Sequence, residues 1–536
     1  MIVHKFGGTS VGSAARFASV AEIVLDHHGL GPVSPSPGER VGEERRLQDG
    51  LHDAAAQPPA VVVVSAMSGV TDRLITGARA AADGRDAVYR DIKAALLEQH
   101  LDVVETLLDD SRLRLEVGGF IEDQLHDLER LYRSIAVLGE LTVRGRDAVA
   151  SFGEQLSVRI LAALLREHGA RARAFSSSEL IVTDDGFGAA TPLMDSTRHR
   201  LRARISPLVD RGILPVITGF IGATEDGVPT TLGRGGSDFS AAIIGAGLDA
   251  DEVWIWSDVD GILTADPNIV PQARTLTELS YVEAAELAYV GAEVLHPKTI
   301  RPLVQRRIPL RIVNSFNPRH QGTRIIESPG SQRQPLPAII STTGLAMIGI
   351  GSRDDSWTLE MAARVLRRLS EAGLEVLMFS QSLSEHNLNL VVRNRDQDHC
   401  LSILGRAFGA GRPGDHRSSS EPRTVSAASL NQVAARLGVK DRVATISVVS
   451  MPGWDGHQNG IVSHAFAALG RHRTRIIAVA QAGTEHSVSF CIPEDQLEEA
   501  VRFLHRELGL EGDVEGRALS CTESGTAEAQ RASRAT

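Results

Sequence analysis

The feature that most constrains this chain is a set of short, unbroken apolar runs separated by amphipathic stretches. Val61–Val64 is four consecutive valines. A strand wetted on one side alternates apolar and polar residues, whereas an unbroken run suits a strand buried on both faces of a parallel sheet. Leu214–Gly219, Glu252–Ser257 and Leu310–Asn314 read the same way. Helical periodicity falls between them at Val158–His168, Phe239–Gly247 and Val282–Val290. This alternation predicts an α/β domain over residues 1–326, with a mostly parallel sheet sandwiched by helices. Residues 88–150 read as mainly helical, a subdomain or lid.

The last third follows a different pattern and repeats itself. Leu345–Gly351, Leu359–Gly373, Leu374–Gln381, His386–Arg393 and Gln397–Phe408 read as β-α-β-β-α. The order recurs at Val443–Ser450, Gly460–His472, Arg475–Gln481, His486–Ile492 and Glu494–Leu508. The hairpins match as well: Gln381-Ser-Leu-Ser-Glu-His386 against Gln481-Ala-Gly-Thr-Glu-His486. Two small α+β modules are expected, at 327–410 and 441–510. Residues 411–440 read as a linker, 29–60 as a flexible insertion and 511–536 as a disordered tail, since each is too polar to bury a core.

Among the 536 residues, 56 are Lys or Arg and 67 are Asp or Glu, a net charge of -11. Nucleic-acid binding, which needs a basic face, is not expected. An anionic substrate would need local positive charge. No uninterrupted run of about 18 apolar residues suggests a membrane span. The N-terminus lacks the pattern of a signal peptide. Cys400, Cys491 and Cys521 are too few and scattered for a disulfide framework or a zinc site, so no metal ligand set is read, and a cytoplasmic location is expected.

Several strand–loop–helix junctions could carry chemistry. After the strand Ile2–Phe6, Gly7-Gly8-Thr9-Ser10 opens a helix running to about Asp26. Glycines let backbone N–H groups approach an anion, and a helix N-terminus favours one. Lys5 could add its ammonium, making a phosphate cradle; a tight turn after a surface lysine reads equally well. Ser65-Ala-Met-Ser-Gly-Val-Thr71-Asp72 follows the valine strand, where α/β sheets bind ligands, though a plain helix cap fits too. Glu154, in Ser151-Phe-Gly-Glu154, could complement a helix dipole or hold a substrate ammonium. Gly233-Arg234-Gly235-Gly236-Ser237-Asp238 sets an arginine in a glycine-rich turn, suited to bidentate binding of a carboxylate or phosphate. Trp254–Pro267 ends a strand in an acidic loop, either a nucleotide edge or a surface loop.

Taken in order, Lys5–Ser10, Ser65–Asp72, Ser151–Glu154, Gly233–Asp238, Asp258-Val-Asp-Gly261 and Val294-Leu-His-Pro297 resemble the motifs of the aspartate kinases. The C-terminal modules resemble the paired, ferredoxin-like ACT domains that regulate those enzymes. The resemblance covers roughly residues 1–510 outside the insertions. It implies ATP-dependent phosphorylation of the β-carboxylate of L-aspartate to 4-phospho-L-aspartate, the first step towards lysine, threonine and methionine, with Mg²⁺ as cofactor. It implies that Lys5 stabilises the transferring phosphoryl group, aided by Gly7 and Gly8. Thr9, Ser10, Gly235, Gly236, Ser257 and Asp258 join the ATP site. Arg234 clamps the α-carboxylate of aspartate, Glu154 takes its ammonium, and Ser65 and Thr71 line its side. Asp238 orients Lys5 or the substrate.

One area departs from the family pattern. Positions 263, 268 and 293, commonly tyrosine, arginine and lysine near the nucleotide, are Leu263, Asn268 and Glu293. A glutamate facing phosphates repels them unless it turns away or Lys298 compensates. A catalytically weak amino-acid-sensing homologue is therefore an alternative, as is another amino-acid-kinase-family enzyme. Gln381 and Gln481 stand where threonine-sensitive members contact their inhibitor. Feedback inhibition by threonine is expected, with lysine second. The chain ends at Thr536 with no dinucleotide domain, so a monofunctional enzyme is expected. The resemblance also implies a homo-oligomer, at least a dimer through the ACT domains.

Overall fold

The computed structural model describes residues 1–29, 59–291, 295–330, 336–352, 358–382, 387–408, 435–450, 460–481 and 487–511. Most of the 29–60 insertion, Glu293, residues 411–434, most of both hairpins and the tail beyond Glu511 lie outside the described residues.

The first sheet has eight strands. In chain order they are β1 (Ile2–Phe6), β2 (Ala60–Val64), β3 (Ala172–Phe175), β4 (Leu214–Thr218), β7 (Glu252–Ser257), β8 (Glu278–Ser280), β9 (Leu310–Asn314) and β10 (Thr323–Ile326). A separate hairpin is β5 (Ile221–Ala223) with β6 (Pro229–Thr231). The spatial order is β3-β4-β2-β1-β7-β9-β10-β8. Neighbours from β3 through β9 run parallel, and β10 turns antiparallel to β9. The valine run explains its own placement. Val62 and Val64 face one apolar core while Val61 and Val63 face another.

The first of those cores is covered by α1 (Ala14–His27), α2 (Val70–Ala82), α3 (Asp86–Leu107), α4 (Ser111–Leu138), α5 (Val143–Ala150) and α6 (Phe152–Glu167). The second lies under α7 (Met194–Arg204), α8 (Ser206–Val209), α9 (Gly236–Gly247), α10 (Tyr281–Tyr289) and α11 (Pro297–Val304). The helices of 88–150 are thus a structural layer and not a lid: Leu96, Ile121, Leu125 and Leu128 are fully buried against the sheet side. Val143–Glu167 is long and apolar enough to cross a membrane by composition, yet 78% of its apolar window is buried in the protein. It reads as core.

The repeats share one antiparallel six-stranded sheet, in the order β12-β13-β11-β14-β16-β15. Its strands are β11 (Ala338–Ser352), β12 (Met378–Ser382), β13 (Asn387–Arg393), β14 (Ala435–Val449), β15 (Ala478–Gln481) and β16 (Ser487–Pro493). Its helices are α12 (Leu359–Glu371), α13 (Gln397–Phe408), α14 (Gly460–Arg471) and α15 (Leu497–Glu507). The long strands β11 and β14 are each used twice. The later part of β11, Leu345–Gly351, pairs with β13, and the early part of β14 returns to lie beside it. The early part of β11, Ala338–Thr342, pairs instead with Thr445–Val449, which pair with β16. The first repeat is therefore inserted into the second. This corrects the expected linker: its end, from Ala435, is a strand, because an edge beside Leu345–Gly351 would otherwise leave backbone groups unpaired. Cys400 and Cys491 are free and buried.

Candidate functional site

The carboxyl ends of β1, β2 and β4 open into a cleft of about 710 Å³. It gathers Lys5, Gly8, Thr9, Ser65, Thr71, Glu154, Arg234, Gly235, Gly236 and Asp238. These come from segments far apart in the chain, and parallel strands bring their ends together.

Lys5 is the second-last residue of β1 and is largely buried. Its Nζ lies 2.5 Å from Asp238 Oδ1. Asp238 sits in the first turn of α9, so the glycine-rich loop supplies the partner that aims the lysine. Gly7 lies beside the ammonium: a Cβ there would be 3.4 Å from Lys5 Nζ. The turn after Gly7 differs from expectation. Ser10 N–H donates to Gly7 O and Val11 N–H to Gly8 O, closing a short 3-10 turn over Thr9–Val11. The long helix begins only at Ala14, capped by Ser13. An anion here would meet the glycine turn and Lys5 without the full end of the long helix. Ser10 is buried and bonded to Ser315 Oγ at 2.9 Å, away from the cleft.

The loop 233–238 needs its glycines. Gly235 has φ +68, and a Cβ there would meet His296 Cβ at 2.7 Å, so another residue would be strained and would clash. Arg234 is thereby held at the rim of the cleft. Opposite stands Glu154, in the first turn of α6 and 3% exposed. Burial pushes its carboxyl up to about 8 despite backbone N–H bonds from Ala66 and its own residue. Its Oε2 has no hydrogen-bond partner. An isolated buried carboxylate is costly, so this one is suited to an incoming cation.

Sequence reasoning missed Asp147 and Arg146. Asp147 is fully buried and accepts from Gly188 N–H at 2.7 Å, Thr231 N–H at 2.9 Å and Thr231 Oγ1 at 2.9 Å. It ties α5 to Thr231, the last residue of β6, and to Gly188 in the segment between β3 and α7. Arg146 and Arg79 add cations to the cleft lining. The run Arg144-Gly-Arg-Asp147 is the signal for Arg146 and Asp147, inside the segment expected to be a helical subdomain or lid. Phe220, also lining the cleft, has φ 66, a left-handed backbone that non-glycine residues hold only where their surroundings enforce it.

The loop after β7 is placed differently. Ser257 Oγ donates to Asp258 Oδ1 at 3.2 Å at the carboxyl end of β7, but neither residue lines the 710 Å³ cleft. Leu263 bridges to Thr275, and exposed Asn268 donates to Asp266 through its backbone and side chain. Between them the loop is fastened to the second repeat. Ala265 and Val270 are buried in that repeat's core. Thr264 Oγ1 accepts from Arg274 N–H at 2.9 Å and bonds buried His505 Nε2 at 3.1 Å. Burial holds His505 below the ordinary imidazole value. Ile339 N–H donates to Thr264 O at 2.8 Å, and Arg502 Nε to Ile269 O at 3.0 Å.

Gln381 is the second-last residue of β12 and Gln481 the last of β15, the two outermost strands, and both are exposed. Those strands, β12 and β15, approach one another as the sheet curls.

Comparison with known proteins agrees with this architecture. The sequence profile of the amino acid kinase family matches residues 1–314, and that of the ACT domain matches residues 353–408 and 456–508. Aspartokinase 1, chloroplastic, of Arabidopsis thaliana is 30% identical over 522 residues, covering 96% of this chain and 81% of that protein. The bifunctional aspartokinase/homoserine dehydrogenase 2, chloroplastic, of the same plant is 30% identical over 510 residues, with 94% of this chain matching 50% of its length. E. coli aspartokinase III in complex with aspartate and ADP superposes with a TM-score of 0.71 at 26% identity, covering 95% of this chain and 100% of that one. The same enzyme in complex with lysine and aspartate gives 0.71, again at 26% identity, covering 95% of this chain and 99% of that one. The chain belongs to the amino acid kinase family and, within it, to the aspartokinases that carry a pair of ACT repeats. It is a kinase, and its last third is the regulatory unit of that family.

Proposed function

We propose that the chain transfers the terminal phosphoryl group of ATP to the β-carboxylate of L-aspartate, giving 4-phospho-L-aspartate and ADP. What supports this reading is a single cleft with a phosphate end, Lys5 with Gly8 and Thr9, and an amino-acid end, Glu154 with Arg234. The acceptor carboxylate has an ordinary pKa near ~3.9 and is already ionised at neutral pH, so no general base is needed. The obstacle is bringing one anion to another. Catalysis is then positioning and charge neutralisation. Lys5 faces the transferring group, Asp238 aims it, Arg234 binds the α-carboxylate and Glu154 the ammonium, with Ser65 and Thr71 flanking. Among the described residues no group of three or more His, Cys, Asp or Glu side chains could hold a metal. Mg²⁺ would arrive on the nucleotide phosphates, as is common for this ion, and would offset their charge.

Regulation follows the same reading: threonine inhibits, with lysine second, through Gln381 and Gln481. The subunits form at least a dimer through the ACT repeats. The product feeds lysine, threonine and methionine synthesis.

The test is ATP-dependent aspartyl hydroxamate formation. Lys5→Ala lowers kcat by about 10²-fold or more, the scale of losing one charge-stabilising donor. No turnover with aspartate at saturating Mg-ATP would refute the reading and favour a sensing homologue. A second measurement uses pH. Below about 8 the empty pocket holds Glu154 protonated, and only the carboxylate pairs with an ammonium. Aspartate binding therefore releases a proton, and the KM for aspartate falls as pH rises from about 6.5 to about 8.5. Glu154→Gln removes that slope.

A further inference from the structure

Arg234 lines three cavities, two of which bear on the substrate. One is the cleft; the other is a groove of about 550 Å³ between the catalytic domain and the regulatory sheet. On the groove side, Arg234 Nη1 lies 3.5 Å from Oε2 of Glu375. Glu375 precedes β12, in the first regulatory repeat. The same carboxylate oxygen lies 3.6 Å from Nε of Arg393, at the end of β13. One regulatory carboxylate thus stands between a catalytic-domain arginine and a regulatory arginine.

We propose that Glu375 is an intramolecular competitor for the α-carboxylate of aspartate, shared between Arg234 and Arg393 according to the position of the first regulatory repeat. This rests on Arg234 being the α-carboxylate clamp. A guanidinium whose charge and donors face one carboxylate binds a second less well. Moving the repeat so that Glu375 sits nearer Arg234 weakens aspartate binding; drawing it onto Arg393 frees the clamp. The loop that carries Arg234 also carries Asp238, the partner of Lys5, and it is wedged against His296. A displacement sensed at Glu375 therefore reaches both substrate-binding charges.

The experiment measures aspartate binding to the full-length enzyme by titration calorimetry, with kcat and the KM for ATP measured alongside. Arg234 and Glu375 are both about half exposed, with side-chain accessibilities of 54% and 56%, and such pairs move an equilibrium by at most about five-fold. Glu375→Gln tightens aspartate binding about two- to five-fold, leaves kcat and the KM for ATP unchanged, and blunts the loss of affinity caused by added L-threonine or L-lysine. Arg393→Gln shifts affinity in the opposite direction. Glu375→Ala repeats the first result without the amide. Unchanged or weakened binding in Glu375→Gln overturns the proposal. Arg234→Ala separates the two levels. If it abolishes aspartate binding while Glu375→Gln changes nothing, only the competition is lost. If Arg234→Ala binds aspartate normally, the clamp assignment fails and the proposal with it.

Discussion

The two regulatory repeats share one pattern and meet the catalytic domain in opposite ways. The second swallows part of it: Ala265 and Val270 are buried in its core, and Thr264 is bonded to both Ile339 and His505. The first repeat keeps its core to itself, built from residues such as Ile348, Val365, Leu390 and Leu404. Its ion pair with the catalytic domain, Glu375 to Arg234, is half exposed. Buried apolar area is worth about 25 cal/mol per Å² and is insensitive to salt, whereas exposed pairs are worth little and are screened. The second repeat is thus a fixed base. The first is attached by contacts weak enough to be made and broken, and these contacts reach Arg234, the proposed clamp.

The sharpest way to break this contrast is Val270→Asp. Placing a carboxylate in the shared core should cost on the order of 3 kcal/mol, read by urea denaturation, and should loosen the second repeat from the catalytic domain. Next comes Thr264→Val. It leaves buried His505 Nε2 and the Arg274 N–H without their partner, at a cost of about 1–3 kcal/mol. Smallest is Glu375→Gln, expected to change unfolding free energy by less than about 1 kcal/mol while changing aspartate affinity. Added salt at about 0.5 M should narrow the difference in aspartate affinity between the parent chain and Glu375→Gln and leave the Val270 core untouched. Equal stability losses at Val270 and Glu375 would show that both repeats are attached alike.

Much of the fold was legible because short-range patterns are strong where burial is complete. Glu252–Ser257, Leu310–Asn314 and Gln397–Phe408 have the expected bounds. The glycine motifs were legible because few sequences tolerate such turns, and most of the residues they flag line the cleft. What could not be read was pairing between distant segments. Nothing local in Ala435–Lys440 says it will lie against Leu345–Gly351. Nothing in Leu263–Val270 announces a partner more than two hundred residues later. Asp147 was overlooked because its role depends on backbone donors from Gly188 and Thr231, which the chain brings to it only on folding. The delayed start of the long helix after Gly8 was likewise a matter of one short turn competing with another.

The nesting of the repeats has a consequence for synthesis. Ala338–Thr342 leaves the ribosome about one hundred residues before Thr445–Val449, the segment it pairs with. At a translation rate of roughly 5–20 residues per second, that ribbon waits several seconds with its hydrogen-bonding groups open. The intervening repeat can complete its own helices in that time, so a nascent chain passes through a stage in which both parts of β11 keep a raw edge. That stage is where a chaperone would be most useful and where self-association would be most dangerous.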